Sequence, residues 1–275
     1  MSRQPQLSNT RPASLAFWGA SIATLAAYAL LLAGILTAIG AWTSPSIYQK
    51  ALASREIRHS LGLSVATCGL ATLLSLWVAT PTAYVLSRKR FRGKAIVEIL
   101  LDLPVVMPPL VMGLGLLLLF QTIPGRWVET SLDWRFTYTP AGVVLAQFAV
   151  ACAFAIRSLR ATFDEIPERT EQVARTLGAS DGQVFTRVML PAARRGLFHA
   201  AAVAWARSLG EFGPILVFAG ATRMKTEVMP TTVFLELSIG NLETAAAVSV
   251  LLLLAAALVL LVLRWMDGRE ARRSC

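Results

Sequence analysis

Two oppositely charged residues stand four positions apart in an otherwise apolar stretch, Ala206–Pro214. Residues at this spacing share one face of a helix, so Arg207 and Glu211 are able to neutralise each other. If the stretch crosses a membrane, each charge costs roughly 2.5–3.5 kcal/mol on insertion scales and is kept for pairing or for function. The sequence therefore leaves two interpretations open: a structural ion pair, or an arginine that faces a water-filled path and attracts a passing anion. In the second, glycines and a proline let the helix bend as a gate, and the predicted path residues are Arg207, Gly210, Glu211, Phe212, Gly213 and Pro214.

The histidines and cysteines do not form a pattern that binds metal. His59 and His199 are isolated near the ends of apolar stretches, and packing or interfacial roles are expected for them. Cys68 and Cys152 fall inside such stretches, and Cys275 is the last residue. Because no pair of these residues has ligand spacing, the sequence predicts neither a metal site nor a disulfide framework.

A polar segment between the fourth and fifth apolar stretches carries the signals of two short helices. Asp164 or Glu165 is a candidate cap for the first helix, and Pro167 suits its first turn. Gly178 is placed to end that helix in a left-handed conformation. An apolar stripe of Val173, Ala174 and Leu177 makes the helix amphipathic.

The second short helix has its own start and stop signals. Ser180 and Gln183 match a capping box, in which each side chain bonds to the backbone of the other residue. Leu190 and Pro191 are expected to end the helix. The apolar stripe is larger here and contains Val184, Phe185, Val188 and Met189.

This segment resembles the signature loop of ABC importer permeases. That loop reads Glu-Ala-Ala, three residues, Gly, about nine residues, and an apolar residue before Leu-Pro. Ala174 matches the second alanine, Val173 replaces the first, and the acid lies one place early, with Gln172 in its usual position. The residues that the resemblance assigns to coupling are Glu171, Gln172, Ala174, Arg175, Gly178, Ala179, Leu190 and Pro191.

The resemblance implies that a separate ATPase subunit docks on this loop from the cytoplasm. ATP and magnesium would then be bound by that partner, since the chain contains no Gly-x-x-x-x-Gly-Lys-Ser/Thr sequence. Family members also receive their solute from an extracytoplasmic solute-binding protein, and a homodimer is expected because the ATPases work in pairs. An alternative is an amphipathic loop that only lies on the membrane surface.

A second irregular region follows Asp102, where three prolines and two glycines fall within a helix entrance. Non-helical backbone at membrane depth survives only where it is buried in protein or lines a water-filled cavity. Pro108, Pro109 and Gly113 are therefore candidate residues of a pathway wall. The alternative is a kinked helix that accommodates its neighbours.

The stretch Ala206–Pro214 is similar to the matching segment of molybdate, tungstate and sulfate permeases. This resemblance implies an oxyanion as solute. Another anion, a polyamine or iron remains an alternative within the importer class, although a cation path should prefer an unpaired acid in this stretch. Two further classes are weighed: a membrane-embedded enzyme that uses Glu211, Asp102 or the histidines on a lipid, and a scaffold that binds a partner without transport. No nucleophile and base recur at helical spacing, so no catalytic residue is predicted.

The composition indicates a membrane protein. Hydrophobic residues make up 55% of the 275-residue chain, charged residues only 15%, and mean hydropathy is +0.59. A helix needs about 20 apolar residues to cross the hydrocarbon core. We predict an all-α polytopic protein with six spans, the fourth and fifth joined by the polar segment; the spans are 15–40, 58–87, 101–122, 139–160, 196–221 and 242–264.

The placement of basic residues predicts the orientation of these spans. With the N terminus inside, eighteen Lys and Arg residues fall on the inner side and seven on the outer side. The positive-inside rule therefore puts both termini and the polar segment in the cytoplasm of a cell-membrane protein surrounded by lipid. Because topology explains the net charge of +10, nucleic acid is not an expected partner. The predicted organisation is a tail at 1–14, one transmembrane domain at 15–264 with a coupling loop at 161–195, and a basic tail at 265–275; the first span is read as a retained helix.

Overall fold

The computed structural model describes residues 11–273, with side chains described for 17–259, 261 and 262. Within this range the chain is helical and contains no β-strand, as predicted. Most of the predicted tail at 1–14 lies outside the described residues, whereas the backbone of the predicted tail at 265–275 continues the last helix as far as Arg273. The helices are α1 Arg11–Ala41, α2 Pro45–Ala53, α3 Arg55–Arg88, α4 Lys94–Val106, α5 Pro109–Gln121, α6 Ile123–Leu132, α7 Pro140–Glu165, α8 Glu168–Thr176, α9 Asp181–Gln183, a π-helical turn Val184–Met189, α10 Leu190–Ala192, α11 Arg194–Leu209, α12 Gly213–Phe218, α13 Met229–Ser238 and α14 Leu242–Arg273.

Four continuous helices are long and apolar enough to cross a membrane. They are Phe17–Ala41, Arg55–Arg88, Pro140–Glu165 and Leu242–Val259, and they match the first, second, fourth and sixth predicted spans. The predicted third and fifth spans are not continuous helices. The count of six spans therefore stays a prediction, while the all-helical membrane fold is confirmed.

The two interrupted spans break where the sequence is richest in proline and glycine. α4 and α5 meet at an angle of 115°, with Met107 and Pro108 between them. Proline lacks a backbone N–H and disfavours helical geometry in the residue before it, which explains a break before the Pro108-Pro109 pair. Similarly, α11 ends at Leu209 and α12 begins at Gly213, so the span predicted at 196–221 is interrupted where its glycines and proline lie.

The core is built from α3, α7 and α11, which approach closely because small side chains line their contacts. The central cluster contains many alanines, among them Ala83, Ala155 and Ala204, all buried. At Gly196, an added Cβ would lie 2.1 Å from Thr162 Oγ1. Lipid gives no hydrophobic drive to helix association, so packing of small residues stabilises such contacts.

A polar group inside the core also links these three helices. Gln147 of α7 is buried and donates from Nε2 to Cys68 Sγ of α3 at 3.4 Å and to the Ser208 carbonyl of α11 at 3.3 Å. Sequence reasoning did not single out Gln147, although a glutamine in an apolar span was an available signal. Its bonds fix the relative position of α3, α7 and α11 at one depth.

An acidic cluster joins the segment between α12 and α13 to the start of α3. Arg223 donates to Glu56 of α3 and, at 2.8 Å, to Glu236 of α13. These bonds raise the pKa of Arg223. Nearby Glu227 is 1% exposed, and its Oε2 has no hydrogen-bond partner among the described residues. Burial raises the pKa of the Glu227 carboxyl above its ordinary value.

Glu227→Gln is expected to raise the melting temperature of the protein at pH 8. A carboxyl whose pKa is higher in the folded state disfavours folding when it is charged, so the wild type is penalised above its folded pKa. The penalty should disappear as the pH falls through the folded pKa toward the ordinary glutamate value of about 4.3. Melting curves in detergent at several pH values measure the difference, and a constant gap between the variant and the wild type would contradict the prediction.

Candidate functional site

The segment at 161–195 folds as two short helices that meet at Gly178. Gly178 has φ +87°, the left-handed conformation that was predicted, and ends α8. Ser180 and Gln183 form the predicted capping box: Ser180 N donates to Gln183 Oε1 at 2.9 Å, and Gln183 N donates to Ser180 Oγ at 3.4 Å. We call this segment loop 161–195.

Two boundaries of loop 161–195 differ from the prediction. Pro167 itself occupies the N-cap of α8, so neither Asp164 nor Glu165 caps that helix. The second helix does not stop at Leu190 and Pro191 but continues to Ala192. Pro191 is tolerated because a π-helical turn precedes it and widens the backbone where its missing N–H would otherwise bond.

Glu171 is a buried anchor of loop 161–195 rather than part of its surface. It is 3% exposed, and its carboxylate accepts from Arg88 Nε and, at 2.9 Å, from the Tyr84 hydroxyl. Arg88 also donates from Nη2 to the carbonyl of Ile166 at 2.7 Å. α8 is thereby fixed to the last turn of α3. Sequence reasoning missed Arg88 and Tyr84, because they lie more than 80 residues from Glu171.

Two apolar side chains are exposed among the polar residues at this end of loop 161–195, one in α8 and one at its C-cap. Leu177 is 83% exposed and Val173 51% exposed, an unusual position for apolar side chains next to a polar segment. Gln172 and Gly178 are also exposed. Their exposure makes this end of α8 the candidate contact surface of loop 161–195.

The other predicted coupling residues support the loop or border its surface. Arg175 pairs with Asp181 at 3.0 Å and with Glu171 at 3.4 Å. Arg175 therefore already has two acidic partners within the chain. Ala174, Ala179 and Leu190 are half-buried, whereas Pro191 is exposed.

The two helix breaks predicted as pathway elements contact each other. A Cβ added to Gly113 would lie 2.8 Å from Pro214 Cα, and one added to Gly213 would lie 2.8 Å from Pro109 Cβ. Pro108 is the N-cap of α5. Because each glycine has no side chain, the proline of the other break packs directly against its backbone. α5 and α12 are therefore in close contact at this point.

Gly113→Ala is expected to destabilise the protein by about 1–3 kcal/mol, because the new methyl group overpacks the contact with Pro214. Gly115→Ala is the matched control: it lies two residues away in α5, and no atom lies within 4 Å of its added Cβ. Thermal unfolding in detergent compares the two variants. Equal melting temperatures would show that α5 and α12 do not require this close approach.

The ion pair predicted from spacing is present. Arg207 Nη2 lies 2.8 Å from Glu211 Oε1, and Glu211 is 1% exposed. Glu211 Oε1 accepts no well-directed hydrogen bond from the described residues, so the attraction is mainly Coulombic. The guanidinium of Arg207 is half-buried and lies 5.2 Å above the ring of Phe154 in α7. The pair that the spacing predicted is therefore formed, and the half-buried side chain of Arg207 leaves both its structural and its anion interpretation open.

The remaining path residues surround the break after α11. Gly210 is exposed, while the half-buried ring of Phe212 packs against Phe234 of α13, with ring centroids 4.9 Å apart. The structure thus brings the two predicted breaks and the ion pair together. The coupling residues lie apart from them, at the opposite end of α11.

The comparisons with known proteins decide the family. A family model described as the inner membrane component of binding-protein-dependent transport systems matches residues 71–273. The chain belongs to this permease family. As a permease it is 34% identical over 212 residues to the sulfate permease CysT of Escherichia coli, which covers 74% of this chain and 76% of the relative. It is 38% identical over 204 residues to the molybdenum permease ModB of Mycobacterium bovis, with the same coverage.

A further relative is the molybdate/tungstate permease WtpB of Pyrococcus abyssi, 34% identical over 218 residues that cover 79% of this permease and 80% of the relative. Solved structures share the fold. A bacterial alginate ABC transporter chain has a TM-score of 0.76 at 14% identity and covers 97% of this permease and 98% of that chain. The MetNI methionine transporter gives 0.55 at 16% identity, covering 80% and 95%. The resemblance to type I ABC importer permeases of the molybdate, tungstate and sulfate branch is confirmed.

Proposed function

We propose that this permease passes a tetrahedral oxyanion of the sulfate, molybdate or tungstate kind into the cell. The observation that carries the proposal is the agreement among its relatives. Each is named as a permease for one or more of these anions, and each aligns with about three quarters of the chain. The half-buried guanidinium of Arg207 supports it, because a cation on the accessible face of α11 favours an anionic solute. A cation importer would leave Glu211 unpaired instead.

We further propose that a separate ATPase subunit, which binds ATP and magnesium, docks on loop 161–195. The exposed face of Val173, Leu177 and Gly178 suits a helix-in-groove contact, in which a partner buries apolar side chains against a small-residue surface. An extracytoplasmic solute-binding protein delivers the anion on the other side. Two copies of the chain form a homodimer that encloses one path in the lipid membrane.

The contacts within the chain provide a route from the loop to the gate. Glu171 ties α8 to α3 through Arg88, and the turn at Ala193 joins the second loop helix directly to α11. α11 carries Arg207 and ends at the break before α12, where Gly213 packs on Pro109. Movement of the loop therefore reaches the break through one rigid helix. The gate residues are Pro108, Pro109, Gly113, Arg207, Gly210, Glu211, Phe212, Gly213 and Pro214.

The organisation that goes with this proposal has both termini in the cytoplasm. The segment 1–14 is then a cytoplasmic tail, 15–264 is one permease domain, and 265–275 is a second, basic tail. Transport rather than catalysis is the role of this chain, and hydrolysis of ATP belongs to the partner.

The proposal is tested by uptake into liposomes that contain the permease with its ATPase and binding protein. Molybdate, tungstate and sulfate are supplied outside, ATP is enclosed on the ATPase side, and elemental mass spectrometry measures the trapped anion. ATP-dependent uptake of at least one of the three is expected. Hydrolysis of ATP without uptake of any of them would reject the oxyanion while leaving the importer class in place.

A further inference from the structure

A large basic cavity lies between α7 and α11, below the ion pair and next to loop 161–195. Its volume is about 910 Å³. The polar residues that line it are Arg157, Ser158, Thr162, Glu165, Arg195 and His199. Gly196 has no side chain, so α11 packs directly on Thr162 of α7 at this point. The neighbouring side chains of the two helices then surround the cavity.

The cavity lies along the same face of α11 as Arg207. Arg195, His199, Val203 and Arg207 follow each other at intervals of four residues, so they share one face of α11. Val203 and Phe154 line the cavity, and the Phe154 ring also lies under the Arg207 guanidinium. A line of basic side chains therefore runs from the ion pair to the end of α11 nearest the loop.

The arginines of this cavity differ from their neighbours in having no acidic partner. Arg88 pairs with Glu171, Arg160 with Glu98 at 2.9 Å, and Arg175 with Asp181. Among the described residues, no carboxylate lies within 4.0 Å of Arg157 or Arg195, and both side chains are exposed.

Acidic groups near the cavity do not cancel its charge. Glu165 lines the same wall, and Arg157 also borders a smaller cavity lined by Asp102 and Asp164. None of these acids forms an ion pair with Arg157 or Arg195 in the described part of the chain. Two arginines face one acid across the larger cavity, and the positive end of the α11 dipole adds to their field.

We propose that Arg157, Arg195 and His199 form an inner binding site for a tetrahedral oxyanion that has passed the gate. Arginine forks and an imidazole N–H donate to several oxygens of such an anion, and the hydroxyls of Ser158 and Thr162 border the same space. The site gives the anion a second binding position after Arg207, away from the buried carboxylate of Glu211. This inference rests on the proposed function, because it takes its ligand from there.

The test measures the electrostatic potential of the cavity with Ala192→Cys, an exposed position on its rim. The permease–ATPase complex is placed in phosphatidylcholine nanodiscs with Cys275→Ser, and labelling rates are compared for an anionic and a cationic methanethiosulfonate of similar size. Cys68 and Cys152 are buried, and a variant without the new cysteine measures any reaction they give. Tungstate is then added, with sodium chloride at equal ionic strength as the control.

Tungstate is expected to lower the anionic-to-cationic rate ratio by about tenfold or more, because a bound dianion repels the anionic reagent and attracts the cationic one in a watery site. Arg157→Gln with Arg195→Gln should lower the ratio without tungstate and remove the response to it. Arg169→Gln, an exposed arginine outside the cavity, is the matched control and should retain the response. An unchanged ratio on addition of tungstate would overturn the proposal.

Anionic lipid is the other source of a tetrahedral oxyanion. If only phosphatidylglycerol in the nanodiscs lowers the ratio, and tungstate does not, the cavity holds a lipid headgroup and the proposed solute site is wrong. The labelling needs no transport, so it is independent of the uptake assay. Uptake without a tungstate response would reject the inner site alone, and a tungstate response without uptake would reject the proposed function alone.

Discussion

Glu171→Ala is expected to destabilise the permease by about 3–5 kcal/mol, the effect of breaking a buried ion pair and leaving one charge without a partner. Glu171 and Arg88 have side chains only 4% and 9% exposed, so water cannot replace the lost carboxylate well. Tyr84 loses its acceptor at the same time. Thermal unfolding in detergent measures the stability, and co-purification measures binding of the ATPase.

The matched control is Glu168→Ala, which removes an exposed acid from the first turn of the same helix. It should change stability by less than about 0.5 kcal/mol. Glu171→Gln retains the shape and one hydrogen-bond acceptor, so its effect should fall between the two. If Glu171→Ala behaves like Glu168→Ala, the carboxylate does not anchor α8 to α3.

Arg207→Ala is expected to have an effect of similar size, because it leaves the carboxylate of Glu211 buried without a cation. Adding Glu211→Ala to the same chain should recover most of the lost stability, since the double variant has no unpaired charge. The melting temperatures of the two single variants and the double variant give the coupling energy between the residues. Equal melting temperatures for Arg207→Ala and the double variant would contradict a structural ion pair.

The same variants separate the structural role of Arg207 from a role in the path. If Arg207 also attracts the solute, the double variant should fold well and still import the anion slowly. Glu211→Gln supplies the comparison, because it retains the guanidinium and removes the opposing charge. Full transport by the double variant would leave Arg207 with a structural role alone.

Local sequence signals predicted the parts of the fold that depend on a few neighbouring residues. The left-handed Gly178, the capping box of Ser180 and Gln183, and the irregular backbone at Pro108 and Pro109 each follow from backbone chemistry within one turn. The Arg207–Glu211 pair was predictable for the same reason, since its spacing lies within one helix.

Contacts between distant parts of the chain were not predictable in this way. The bond between Arg88 and Glu171 joins residues 83 positions apart, and nothing near Glu171 in the sequence indicates that it is buried. The close approach of Gly213 to Pro109 depends on how two broken helices pack. Hydropathy also placed the fifth span as one unbroken stretch, because a hydropathy window averages over the break between α11 and α12.

The central claim, that loop 161–195 couples an ATPase to passage of the anion, is tested most directly by measuring ATP hydrolysis and anion uptake together in liposomes that contain Gly178→Asp. Gly93→Asp is a closely matched control: Gly93 has φ +85°, close to the +87° of Gly178, and neither added Cβ has an atom within 4 Å. Both variants therefore carry the same charge and similar backbone strain, on different loops. The account predicts that Gly178→Asp loses uptake and ATPase binding while Gly93→Asp retains them. Normal uptake by Gly178→Asp, or equal loss in both variants, would contradict it.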